Sequence, residues 1–214
     1  MPIFKLYLFW CLGAFLAGSI PFGLVLVKLA GKGDVRTQGS GNIGATNVMR
    51  AGGKALGIAT LLLDALKGFL PVFIAKKVGF QPEFLAFVAL AAVVGHVFTP
   101  WLKFKGGKGV ATALGAVLAY HAPMVVPAFA AFVILLLIFR YVSLGSVVAA
   151  LVLLLTAMGF LGAWARLPVQ EGMAQWPILA WACLVGLVIR KHAANINRLV
   201  QGTEAKLWGS AKHA

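Results

Sequence analysis

The chain has 214 residues, 61% of them hydrophobic and only 11% charged, with a formal net charge of +14. A soluble domain carries about 25% charged residues, so too few charges remain here to solvate a globular surface, and a water-soluble protein is excluded. Nucleic-acid binding is excluded as well, because the Lys and Arg sit at the ends of apolar runs and leave no soluble reading module.

The apolar runs predict an all-α polytopic membrane protein with about seven transmembrane helices, over residues 6–28, 55–75, 84–101, 110–121, 124–139, 144–163 and 176–189. The first run has no A-x-A-like cleavage site after it and reads as a retained helix rather than a signal peptide. The fourth and fifth runs are short and are separated by His121-Ala122-Pro123; read as one kinked span they would bring the count to six. Charge decides between the two counts. With seven helices and the N-terminus outside, the inner segments hold Lys28, Lys32, Arg36, Arg50, Lys54, Lys103, Lys105, Lys108, Arg140, Arg190, Lys191, Arg198, Lys206 and Lys212, which is 14 of the 19 basic residues. The outer segments hold Lys5, Lys76, Lys77 and Arg166, and Lys67 lies within a helix. That asymmetry obeys the positive-inside rule, whereas six helices would place the basic tail opposite the first basic loop. The expectation is a periplasmic N-terminus, a cytoplasmic C-terminus and a single integral-membrane domain over residues 1–214, without linker or repeat.

Three polar stretches, residues 31–53, 99–109 and 190–206, fall on one face in this arrangement. The first contains Gly39-Ser40-Gly41-Asn42-Ile43-Gly44-Ala45-Thr46-Asn47-Val48-Met49-Arg50, a literal G-x-G-x-x-G. A dinucleotide fingerprint requires a preceding strand; a membrane helix precedes this one. The physics of anion binding survives: glycines allow close backbone approach, Ser40, Asn42 and Thr46 add hydrogen bonds, and Arg50 can grip a phosphate. The alternative is a plain capping loop with Ser and Asn at turns. The second stretch holds Gly106-Gly107-Lys108-Gly109-Val110, which fails the Walker spacing, with Leu102 where a Gly belongs and Gly109 where Ser or Thr belongs. A Gly-Gly-Lys-Gly turn opening a helix still suits a phosphate, with Lys108 the ligand candidate and Lys103 and Lys105 read as membrane-surface anchors. The third stretch follows the last span directly and places His192 and Asn195 three apart on one helical face. His192 there suits a general base or a phosphate ligand; a lipid-binding juxtamembrane tail is the competing reading.

Other polar residues read as structural. His96 ends an apolar run and Trp101 marks the interface. Asp64 and Lys67, in mid-span at i,i+3, can neutralise each other facing the bundle, although intramembrane charges also call for a functional hypothesis. Cys11 and Cys183 lie in apolar runs with no ligand neighbours. With five acidic residues, none paired in a loop, no metal cage is expected and no cofactor.

Gly18-Ser19-Ile20-Pro21-Phe22-Gly23, the Gly39–Arg50 stretch, Asp64-x-x-Lys67-Gly68, Gly106-Gly107-Lys108-Gly109-Val110-Ala111-Thr112 and the stretch from His192 to Lys206 follow one another in order. Together they resemble the bacterial membrane acyl-phosphate:glycerol-3-phosphate acyltransferases over nearly the whole chain. The resemblance implies seven helices in the bacterial inner membrane, with all three motifs on the cytoplasmic face. It implies transfer of a fatty acyl group from acyl phosphate to the sn-1 hydroxyl of glycerol 3-phosphate, giving lysophosphatidic acid and phosphate, the first acylation of phospholipid biosynthesis. It implies essential roles for Ser40 and Arg50, glycerol 3-phosphate binding by Gly106, Gly107, Lys108 and Gly109, functional roles for His192 and Asn195, and a structural one for Glu204. In the mechanism this suggests, Ser40, Gly41, Asn42 and Thr46 hold the acyl-phosphate head, and Arg50, Lys108 and Asn195 hold glycerol 3-phosphate. His192 or a substrate phosphate takes the hydroxyl proton. The expected partners are the two substrates, membrane lipid and a soluble acyl-phosphate-forming enzyme. A transporter for a phosphorylated solute is the rival from another class, with a site near the midplane.

Overall fold

The computed structural model describes residues 3–164 and 175–208, and every element among them is helical. Arg166 and Lys212, which enter the charge count, lie outside the described residues. Its contacts divide the chain into two compact units, residues 1–120 and 121–214.

The first unit holds α1 (Ile3–Ser19), α2 (Phe22–Leu29), α3 (Ala45–Gly52), α4 (Lys54–Val78), α5 (Pro82–Val97) and α6 (Val110–His121), which ends at the unit boundary. The first apolar run, read from sequence as one helix, is broken at Ile20-Pro21, because proline lacks the N–H that would continue the ladder. A broken helix in a membrane needs other donors for its freed groups, and α4 and the segment that follows α5 supply them. Thr99 Oγ1 donates to Ser19 O at 2.7 Å, Trp101 Nε1 to Ser19 Oγ at 2.9 Å, and Lys67 Nζ to Ile20 O at 2.7 Å. Close helix contact comes from small residues, as expected where lipid gives no hydrophobic drive to association. A Cβ added at Gly18 would strike the Ala92 carbonyl and one at Gly95 the Phe15 carbonyl, so α1 and α5 meet backbone to backbone. Gly68 against Thr112 and Gly115 against Ala65 do the same for α4 and α6. Asp64 and Lys67 pair at 2.7 Å with side chains 4% and 3% exposed, so the intramembrane charges are neutralised inside the unit, in keeping with the sequence reading.

The second unit holds α7 (Val125–Phe139), α8 (Val142–Trp164), α9 (Gln175–Lys191) and α10 (Ala193–Val200), with α8 packed against both α7 and α9. Among the described residues, five stretches are long and apolar enough to cross a membrane: Phe4–Leu29, Lys54–Val78, Pro82–Leu102, Val110–Phe139 and Val142–Gly159. Trp176–Lys191 with Ala193–Val200, bent by 54°, makes a sixth if taken together. The count by length therefore differs from the expected seven. The 12 residues of α6 rise only about 18 Å, short of the ~30 Å hydrocarbon core, so α6 and α7 count as one stretch.

Candidate active site

The first polar stretch is built around one side chain. Asn47, 3% exposed near the start of α3, donates from Nδ2 to the carbonyls of Val35 (3.0 Å), Gln38 (3.0 Å) and Asn42 (2.9 Å). Its Oδ1 accepts the Ser40 N–H at 2.8 Å. Gly39 has φ +55°, and a Cβ there would land on Asn47 Oδ1, so the chain turns here only with glycine. Asn42 Oδ1 accepts the Gly44 N–H at 2.8 Å, which closes the turn into α3. Asp34 caps the preceding 3-10 turn through the Arg36 N–H, and the Arg36 guanidinium holds the Asp34 carboxyl down to about 2. The result is a fixed loop whose outer side carries exposed Ser40, Gly41 and Arg50, with Thr46 half-buried in the first turn of α3.

The second stretch rests on the end of α5. Gly106 N–H donates to Val97 O (3.0 Å) and Gly107 N–H to His96 O (3.2 Å). Both N–H groups point into the protein, because they pair with carbonyls that α5 leaves at its end. The donor-bearing positions that follow are Lys108, Gly109 and the first turn of α6. The two stretches share one small core, in which Leu102 joins Leu24, Val27, Val35, Ile43 and Val48. The loop that carries Ser40, Gly41, Asn42, Thr46 and Arg50 therefore packs in the same unit against Leu102, four residues ahead of Gly106, Gly107, Lys108 and Gly109.

His192 and Asn195 belong to the second unit. α9 and α10 do not run on as one straight helix. His192 N–H closes onto Ile189 O at 2.9 Å, and its ring Nδ1 takes Val188 O at 2.8 Å, the carbonyl that an unbroken helix would give to the His192 backbone. Both side chains are buried, His192 at 2% and Asn195 at 7% exposed. After α10 the chain reverses at Gly202 (φ +71°), with Thr203 N–H on Arg198 O and Gly202 N–H on Leu199 O, a Schellman closure. That reversal returns Glu204 to its own helix. Its Oε1 accepts from Asn195 Nδ2 (2.6 Å) and Ser143 Oγ (2.7 Å), and its Oε2 from Arg198 Nε (2.7 Å). Burial pushes the Glu204 carboxyl up, but the three donors together outweigh it and hold it below the ordinary glutamate range. Among the described residues no cluster of three or more His, Cys, Asp or Glu could hold a metal ion.

Sequence reasoning missed Asn47 as the organiser of the first loop. The signal available was an Asn at the third position of a helix opened by a glycine-rich turn, which can reach back to its own loop. It also missed how close the ring of His96 lies to Gly107.

Residues 8–202 match the family model described as glycerol-3-phosphate acyltransferase. Curated relatives of that name include one from Trichlorobacter lovleyi, 49% identical over 199 residues and covering 93% of this chain and 96% of its own length. Another, from Geobacter sulfurreducens, is 48% identical, covering 89% and 92%. Two crystal structures of PlsY (YgiH), described as an integral membrane glycerol 3-phosphate acyltransferase, align along the chain. Its glycerol 3-phosphate form is 42% identical with TM-score 0.83, covering 95% of this chain and 96% of its own. Its lysophosphatidic acid form is 41% identical with TM-score 0.79, covering 94% of each. Ten α-helices among the described residues, several of them long apolar spans, two polar stretches on one core and a matching family model over nearly the full length lead to one conclusion: the chain is an integral membrane protein of the glycerol-3-phosphate acyltransferase family.

Proposed function

We propose that this protein transfers a fatty acyl group from acyl phosphate to the sn-1 hydroxyl of glycerol 3-phosphate, at the cytoplasmic face of a bacterial inner membrane. The observation that carries the reading is the full-length kinship with a protein solved in both glycerol 3-phosphate and lysophosphatidic acid forms. Those two molecules differ by one acyl group, so they are the acceptor and the product of a single transfer.

The chain acts as one seven-helix enzymatic domain, with α6 and α7 crossing separately, the N-terminus periplasmic and the C-terminus cytoplasmic. Support comes from the charge distribution, since an odd number of crossings puts the basic first loop and the basic tail on one side. All three polar stretches then face the same side of the membrane. Ser40, Gly41, Asn42 and Thr46 hold the acyl-phosphate head, with the α3 N-terminus behind it. Arg50, Lys108 and Asn195 hold glycerol 3-phosphate, with Gly106, Gly107 and Gly109 shaping the turn that carries Lys108. The acceptor hydroxyl oxygen attacks the acyl carbon, the bond from that carbon to the phosphate oxygen breaks, and inorganic phosphate leaves. The hydroxyl proton goes to His192 or to a phosphate oxygen of the substrate. With Nδ1 donating to Val188 O, a neutral His192 ring carries its lone pair on Nε2. Because acyl phosphate brings its own leaving group, no acyl-enzyme is needed. The protein contributes alignment and charge compensation for two anions. A soluble enzyme that forms acyl phosphate supplies the donor.

Purified protein in lipid, given palmitoyl phosphate and labelled glycerol 3-phosphate, should form labelled lysophosphatidic acid. Acyl-coenzyme A or acyl carrier protein in place of palmitoyl phosphate should give none. Uptake of label into vesicles without acylation would instead support a transporter. Activity should persist in chelator; loss that magnesium restores would overturn the metal-free mechanism. A mass-spectrometric trap of acyl-Ser40 would overturn direct attack.

A further inference from the structure

We propose that His96 is a positioning residue for the glycine–lysine turn, flanked from within the membrane span by the Asp64–Lys67 ion pair. It rests on the reading that Lys108 and its turn hold glycerol 3-phosphate.

The Asp64–Lys67 pair satisfies its charges within α4 at 2.7 Å, yet it also faces two other segments. Lys67 Nζ reaches Ile20 O at the α1–α2 break (2.7 Å), and Asp64 Oδ1 lies 3.8 Å from His96 Nδ1. All three side chains are within 5% of complete burial. The far edge of the His96 ring meets the turn: a Cβ added at Gly107 would strike His96 Nε2. His96 O accepts the Gly107 N–H, so residue 96 contacts the turn through both backbone and ring. The imidazole thus lies between the Asp64 carboxylate, 3.8 Å from Nδ1, and the glycine against Nε2.

This separates the two glycines chemically. Gly106 must be small because the carbonyls of His96 and Val97 sit where its Cβ would go. At Gly107 the three atoms nearest an added Cβ all belong to the His96 ring. Lys108 comes next, so a shift of the ring passes to the ligand within one residue. The ion pair therefore lies one side chain away from the turn. Intramembrane charges that reach a binding loop act on binding.

The geometry gives a compensating test in the full-length protein in lipid. Gly107→Ala should raise KM for glycerol 3-phosphate roughly tenfold, with kcat and KM for acyl phosphate within about twofold. His96→Ala should raise the same KM, and His96→Gln should recover part of it. In the His96→Ala background the Gly107→Ala change should add nothing, because the methyl enters the vacated space. Gly106→Ala should stay as harmful in that background as in the parent. If His96→Ala does not accumulate folded, His96→Ser clears the same space and replaces it. Equal added cost of Gly107→Ala in both backgrounds, or parallel changes in both KM values and kcat, overturns the proposal. Thermal unfolding of the same four proteins gives the coupling without activity. An inactive parent enzyme would therefore sink the function reading, while the unfolding coupling still decides whether His96 clamps the turn.

Discussion

Asn47 links four backbone groups of the first loop, and it does so buried. Removing a buried partner leaves each group undersatisfied at about 1–3 kcal/mol. Asn47→Ala should therefore lower thermal stability and raise KM for the acyl donor. Asn47→Asp should be worse, because a carboxylate keeps the Ser40 contact but turns against three carbonyl oxygens; differential scanning fluorimetry with kinetics checks the order. Glu204 makes the equivalent closure in the second unit. Its carboxyl titrates lower when folded than when unfolded, so the stability it contributes is complete above the ordinary glutamate range and is lost as pH falls through the folded value. Acid unfolding followed between pH 6 and pH 3 should show a destabilisation in the parent that Glu204→Gln lacks, the variant being weaker throughout neutral pH. The sequence displayed Ser40, Arg50, Lys108 and His192 as chemistry-bearing residues by type and neighbourhood. It could not display Asn47 or the Gly107–His96 contact, because both depend on which backbone groups the fold leaves over.

At the scale of elements, the helices pack where glycine allows it. Gly18 and Gly95 set the α1–α5 distance, and Gly115 sets α4 against α6. Gly18→Val would force a branched side chain into the Ala92 carbonyl, and overpacking of this kind costs about 1–3 kcal/mol or more. The measurement is unfolding in detergent micelles, with Gly13→Val, where a Cβ meets nothing within 4 Å, as the mild comparison. Most spans were legible from apolar length alone, since α4, α5, α8 and α9 fall on the runs read from sequence. The α1–α2 break was not read, although Pro21 stood in plain view. A membrane span tolerates proline in either form, and only the donors from Thr99, Trp101 and Lys67 make the broken one stable here.

For the whole molecule, composition alone separated membrane from water, and the order of three motifs carried the family. The number of crossings was less legible, because α6 with 12 residues and α7 with 15 are each too short to announce a span. Sidedness is testable directly. In a protein with Cys11 and Cys183 replaced, single cysteines at Lys32 and Gln201 should be labelled from the cytoplasm only, and one at Lys77 from the periplasm only. Labelling of positions 32 and 201 from opposite sides would overturn the proposed sidedness and the mechanism with it.

The join between α1 and α2 has a consequence for biogenesis. The carbonyl of Ser19 gains its side-chain donor from Thr99, eighty residues later in the chain. While the ribosome is still translating, the first span must wait in the bilayer with its kink unsealed. A nascent chain stalled before residue 99 should be cleared by membrane proteases, whereas one that has emerged past Trp101 carries all three donors at the kink.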